Sequence, residues 1–127
     1  MQKNITLAMG NGGEENNELI KEIFYKAFKN DILAKSEDAA VLDGGFKIAM
    51  STDSFTVSPI FFNGSDIGKL SICGTCNDLA MMGAKPKYLT LGIIIEEGFN
   101  TRDLEKIVRS MKKELEINGA IVVSGDT

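Results

Sequence analysis

The chain has 127 residues, 43% of them hydrophobic and 25% charged, and this excludes a disordered or collagen-like polymer. Fourteen Lys and Arg face 18 Asp and Glu, and a net charge of −4 disfavours binding to a phosphate backbone, so nucleic acid is set aside. There is no His, which removes imidazole catalysis and imidazole-ligated metal and leaves acid–base work to Asp, Glu, Lys, Tyr or Cys.

The first residues lack the basic and apolar regions of a signal peptide, and no run reaches the roughly 18 apolar residues of a membrane span, so a cytoplasmic location is expected. Met9-Gly10-Asn11-Gly12-Gly13 reads as a Gly-rich loop that lets backbone approach a ligand closely. It has no Walker-type Lys and does not open a helix after a strand, so it is neither a P-loop nor a dinucleotide fingerprint; a flexible terminus is the plain alternative. A helix is predicted over 16–29 from the stripe Leu19, Ile20, Ile23, Phe24, Ala27 and Phe28, ending at Asn30-Asp31. Residues 39–42 and 46–51 read as two strands joined by the turn Asp43-Gly44-Gly45.

A helix over 66–82 is rich in small residues and stops at Gly83, with Pro86 beyond. Residues 88–95 read as a buried strand. Thr101 is the expected N-cap of a helix over 102–117, whose core stripe is Leu104, Ile107, Val108, Met111 and Leu115. After Asn118-Gly119, a last strand over 120–123 runs into Ser124-Gly125-Asp126-Thr127. A chain that stops there, with no polar tail, is expected to be a fragment. The order α-β-β-α-β-α-β predicts an α+β or α/β layer with helices over a sheet.

Cys73-Gly74-Thr75-Cys76 invites a redox or zinc reading. Zinc needs more ligands than two thiolates, and a redox pair belongs at a helix N-terminus, so the mid-helix placement favours buried packing. The aspartates carry more. Asp38, Asp53, Asp78 and Asp126 each sit among small or apolar residues near predicted element ends. Such carboxylates can converge on one sheet edge, where their repulsion calls for a cation such as Mg²⁺; turn and cap roles are the bland alternative.

Several long segments then match one family. Ser51-Thr52-Asp53-Ser54, Pro59-Ile60-Phe61-Phe62, Asp66-Ile67-Gly68-Lys69-Leu70, Cys73-Gly74-Thr75, the run from Asn77 to Ala84, Glu96-Glu97-Gly98-Phe99 and Ser124-Gly125-Asp126-Thr127 together resemble the HypE family of hydrogenase-maturation proteins. That family lies in the superfamily of aminoimidazole-ribonucleotide synthetase (PurM), and the resemblance covers nearly the whole chain.

The resemblance implies a PurM-like N-terminal domain of α+β class, a mixed sheet with helices on one face, whose sheet pairs with that of a second copy in a homodimer barrel. It implies an ATP-dependent carbamoyl dehydratase, turning an S-carbamoyl cysteine at the enzyme's own C-terminus into a thiocyanate for the cyanide ligands of [NiFe]-hydrogenase. Its cofactors would be ATP and Mg²⁺, and its partners the HypF carbamoyltransferase and the HypC–HypD complex. By position, Asp38, Asp53, Asp78 and Asp126 would hold the metal, with Asp53 and Asp78 as the catalytic pair. Gly10, Asn11, Gly12, Gly13, Asn77, Gly125 and Thr127 would bind ATP or its phosphates, and Lys69 is either a phosphate partner or a solvated lysine.

The chain departs from the family at Met9, where relatives carry His; at Cys76, where they carry a small apolar residue; and at Glu37, where they often carry Asp. Lacking the C-terminal cysteine, residues 1–127 alone are expected not to complete the reaction. The alternatives are another ATP-dependent enzyme of the superfamily, or a dimerisation or scaffold domain for maturation partners.

Overall fold

The computed structural model describes residues 4–10, 13–36, 42, 44, 45 and 47–127. The first helical stretch runs without a break through α1 (Glu14–Leu19), a wider π-helical segment (Ile20–Tyr25) and α2 (Lys26–Phe28). Glu14 and Glu15 lie in its first turn, where the helix dipole favours negative charge. Its apolar stripe, Leu19, Ile23, Phe24 and Phe28, is buried as the spacing predicts. Asn30 then closes the helix and ties it to the rest of the chain. Its side-chain amide donates to the carbonyls of Phe28 at 2.9 Å and Val122 at 2.7 Å, and its oxygen accepts from the amides of Ile32 and Leu33.

The hairpin expected over 39–51 falls partly outside the described residues. Residues 47–51, within its second arm, form no strand. From Ser51 to Phe55 the chain lies along a helix instead of in a ladder. Two short strands follow, β1 (Phe61–Phe62) and β2 (Ser65–Asp66), paired antiparallel through a turn at Gly64, whose φ of +79° suits glycine.

The helix α3 spans Ile67–Met81. Asp66 caps it by accepting from the Lys69 amide at 3.0 Å, and Gly83 leaves it with a positive φ. β3 (Tyr88–Gly92) is shorter than the sequence predicts. α4 spans Thr101–Asn118, and its N-cap is Asn100, not Thr101: Asn100 has extended backbone, and its oxygen accepts from the Arg102 amide at 2.9 Å. Thr101 is buried inside the first turn. Gly119 ends α4 in the left-handed conformation.

β4 (Ile121–Asp126) is longer than predicted and pairs parallel with β3, from Tyr88 opposite Ile121 to Gly92 opposite Asp126. A register shift after Leu89 leaves Val123 as the extra residue of β4. β3, α4 and β4 thus form a β-α-β unit, and α4 lays Leu104, Ile107, Val108, Met111 and Leu115 into the core with Leu89 and Val122. Salt bridges at helical spacing, Lys106–Asp103, Arg109–Glu105 and Lys112–Glu116, mark its solvated face. Among the described residues, the strands form two separate two-stranded sheets, one antiparallel and one parallel, and not the single mixed sheet expected. No helix is long and apolar enough to cross a membrane among them.

Candidate functional site

Two groups of the residues singled out above come together, at separate places. The first lies on α3. The segment from Ser51 to Phe55 runs beside this helix in the opposite direction: Ser51 meets Asp78, and Phe55 meets Gly74 one turn earlier. The Ser51 hydroxyl donates to Asp78 Oδ2 at 2.9 Å. A Cβ on Gly74 would sit 2.6 Å from the Phe55 ring, so glycine is what lets the segment lie so close.

Between those two contacts Asp53 comes within side-chain hydrogen-bonding reach of Asp78. The Asp53 carboxyl is raised above the usual carboxylate range by partial loss of hydration, then by the charge of Asp78 and the hydrogen bond they share. Asp53 is exposed, so the specific partner, Asp78, is what distinguishes it from other surface acids. Two carboxylates held together and open to solvent form a hard-oxygen donor set suited to a divalent cation that keeps water and phosphate as its other ligands. Asn77, the neighbour of Asp78, is exposed on α3.

The second group lines an open cavity of about 720 Å³. Gly10, Gly125, Asp126 and Thr127 contribute polar and backbone groups, while Phe24, Phe28 and Leu33 form an apolar wall. The end of β4 delivers Gly125 and Asp126 here because the ladder to β3 continues to that point, with Ile93 N–H donating to the Asp126 carbonyl at 2.9 Å. Gly125 also has a packing role: a Cβ there would lie 2.6 Å from the Leu91 carbonyl oxygen. Gly13 is exposed at the N-cap of α1. Asn11, Gly12, Glu37 and Asp38 lie outside the described residues. Among the described residues, no three carboxylate or thiol groups are placed to hold one metal ion, so Asp126 does not join the Asp53–Asp78 pair in a single site.

Three further residues have defined surroundings. Met9, at the position where the resembled family has His, is buried in the core. Cys73 and Cys76 are free thiols. Burial pushes both thiols up, Cys73 further by its bond to Glu114, which is the reverse of what a redox pair needs. Lys69 pairs with Glu114 at 3.4 Å. Ser51 stands in the sequence analysis only as part of a family motif, with no role, and Glu114 does not stand there. A signal for Glu114 exists, since it falls three residues after Met111 and seven after Ile107, on the apolar side of α4.

Residues 36–127 match the family model described as AIR synthase related protein, N-terminal domain. The chain belongs to this family. The chain of this AIR synthase related domain is 46% identical to carbamoyl dehydratase HypE of Escherichia coli (strain K12) over 130 residues, covering 98% of this chain and 39% of that protein. It is also 46% identical to carbamoyl dehydratase HypE of Cupriavidus necator, over 97% of this chain and 36% of the relative. The chain thus spans less than half the length of these relatives.

Among solved structures, hydrogenase maturation protein HypE in complex with ATP superposes with a TM-score of 0.94 at 48% identity, covering 97% of this chain and 37% of that one. A HypE–HypF complex matches with a TM-score of 0.63 at 54% identity, over 86% of this chain and 35% of that one.

Proposed function

We propose that this AIR synthase related domain is the ATP-binding N-terminal domain of a HypE-type carbamoyl dehydratase in hydrogenase maturation, spanning residues 1–127. The observation that carries the reading is the likeness, at a TM-score of 0.94 and 48% identity, to HypE in complex with ATP. The Asp53–Asp78 pair supports it from the side of chemistry, since paired exposed carboxylates suit magnesium carried by a nucleotide.

In the reaction, the carbonyl oxygen of an S-carbamoyl cysteine accepts the γ-phosphoryl group. That oxygen then departs as phosphate, the two N–H protons are released, and a thiocyanate remains. An amide oxygen leaves poorly and a phosphate leaves well, so the catalyst's task is to position the phosphoryl group and balance its charge. Mg²⁺, when bound, would supply that charge balance.

Asp53 and Asp78 would hold one metal ion as the catalytic pair, with Asp38 as a further ligand, and Asp126, apart from them on the cavity, would bind metal at the phosphates there. Asp78 is held in place by the Ser51 hydroxyl. Gly10, Asn11, Gly12 and Gly13 would offer backbone amides to the phosphates, joined by Asn77, Gly125 and Thr127. Lys69 has Glu114 as its partner and is left out of the phosphate set.

The same reading makes the protein a cytoplasmic homodimer. Ile48, Met50 and Ile94 are 71%, 90% and 103% exposed, apolar surface that sheet pairing with a second copy would cover. Its partners would be a HypF-type carbamoyltransferase, in line with the relative solved as a HypE–HypF complex, and a HypC–HypD-type acceptor.

The test is mass spectrometry of a HypE-type protein carrying residues 1–127 as its N-terminal domain, after carbamoylation of that protein's C-terminal cysteine. With ATP and magnesium the carbamoylated peptide should lose the mass of water, with ADP released. ATP-dependent chemistry on a different substrate, with no such loss, would favour another enzyme of the superfamily.

A further inference from the structure

Asp78 lies near the C-terminal end of α3, and the start of that helix is clamped by α4. Gly68 is buried against α4, and a Cβ there would collide with the Ile107 carbonyl oxygen. Seven residues after Ile107 on α4, Glu114 is 7% exposed and uses both carboxylate oxygens on α3. Oε1 lies 3.4 Å from Lys69 Nζ, and Oε2 accepts from Cys73 Sγ at 3.4 Å.

Lys69, Cys73 and Asn77 recur every fourth residue, so they follow one face of α3, with Asp78 beside the last of them. A group bonded to two successive turns of a helix opposes both its rotation and its sliding. Burying a carboxylate is expensive, and an apolar side chain would fill this space at less cost, so packing alone does not account for an acid here. None of the chemistry proposed above uses Glu114, Lys69 or Cys73.

We propose that Glu114 is a positioning residue: it fixes the rotation of α3 and so keeps Asp78 against Ser51 and Asp53. The effect on ATP binding rests on the reading of Asp78 as a magnesium ligand; the effect on geometry does not.

The test compares the wild-type protein with Glu114→Gln and Glu114→Leu, by melting, by crystal structure and by calorimetry of ATP with and without magnesium. Both variants should stay folded, lose the Ser51–Asp78 hydrogen bond, and bind ATP with magnesium roughly ten- to a hundredfold more weakly, the usual loss when the support of a metal ligand is removed. Affinity for ATP without magnesium should hold, which a general loss of stability would not permit. If the Glu114 variants do not fold, Lys69→Met and Cys73→Ala each remove one arm of the clamp, and each should loosen the same contact.

An intact Ser51–Asp78 bond with undiminished magnesium-dependent affinity in a folded variant would overturn the proposal. If the wild-type protein itself binds no ATP, the functional reading fails, while the Ser51–Asp78 contact in the variants still decides the clamp.

Discussion

The Cys73 thiol donates to a buried carboxylate, and burial first, then that acceptor, keeps it protonated. A thiol whose folded pKa lies above its unfolded value adds stability that is fully present below the unfolded value and is lost as pH rises through the raised one. Iodoacetamide should therefore modify Cys73 more slowly than a free cysteine at about pH 8, and Glu114→Gln should speed it. Equal rates in the two proteins would show that the bond to Glu114 has no hold on the thiol. The mid-helix position of Cys-Gly-Thr-Cys was enough to favour packing over redox chemistry. The partner was less visible, because a lone acid on an apolar stripe becomes informative only once the facing helix is known to offer a lysine and a thiol.

Between elements, close approach and side-chain bridges decide the arrangement. Gly68→Ala would drive a methyl group into the Ile107 carbonyl and force α3 and α4 apart, at a cost of about 1–3 kcal/mol measurable by denaturant unfolding. Asn30→Ala would remove the bond from the first helix to Val122 in β4 and uncap the turn at Ile32 and Leu33, costing about 1–3 kcal/mol in the same experiment. A loss below a few tenths of a kcal/mol would mean that the two helices yield to the methyl group without cost in Gly68→Ala, or that water replaces the lost bonds in Asn30→Ala. Periodicity located α3 and α4 almost to the residue, because their caps and terminal glycines are local signals. It placed the cap of α4 one residue late, since Asn100 and Thr101 are both competent and only backbone geometry chooses between them. It also read 46–51 as a hairpin arm. Alternation describes an extended chain, but it does not say whether the partner is a strand or, as for Ser51 and Phe55, the side of a helix.

For the whole molecule, the candidate site residues that the structure describes gather in two places. Asp53 and Asp78 meet beside α3, while Gly10, Gly125, Asp126 and Thr127 line the cavity at the end of β4. A nucleotide carrying magnesium has both a charge centre and an apolar base, and the proposed function requires these surfaces to serve one ligand. Long segments such as Asn77 to Ala84 carry the family resemblance from which a nucleotide ligand is expected. What stayed hidden was Ser51, whose hydroxyl gains a role only where the chain doubles back along the helix. The central claim is that the Asp53–Asp78 pair binds ATP through magnesium. Titration calorimetry of the wild-type protein and Asp78→Asn, with ATP in the presence and absence of magnesium, tests it most directly. Wild type should bind with magnesium at least about tenfold more tightly than Asp78→Asn, a difference of ~1.4 kcal/mol, and the two should converge without the metal. Equal magnesium-dependent affinities, or no binding of ATP by the wild-type protein, would contradict the account.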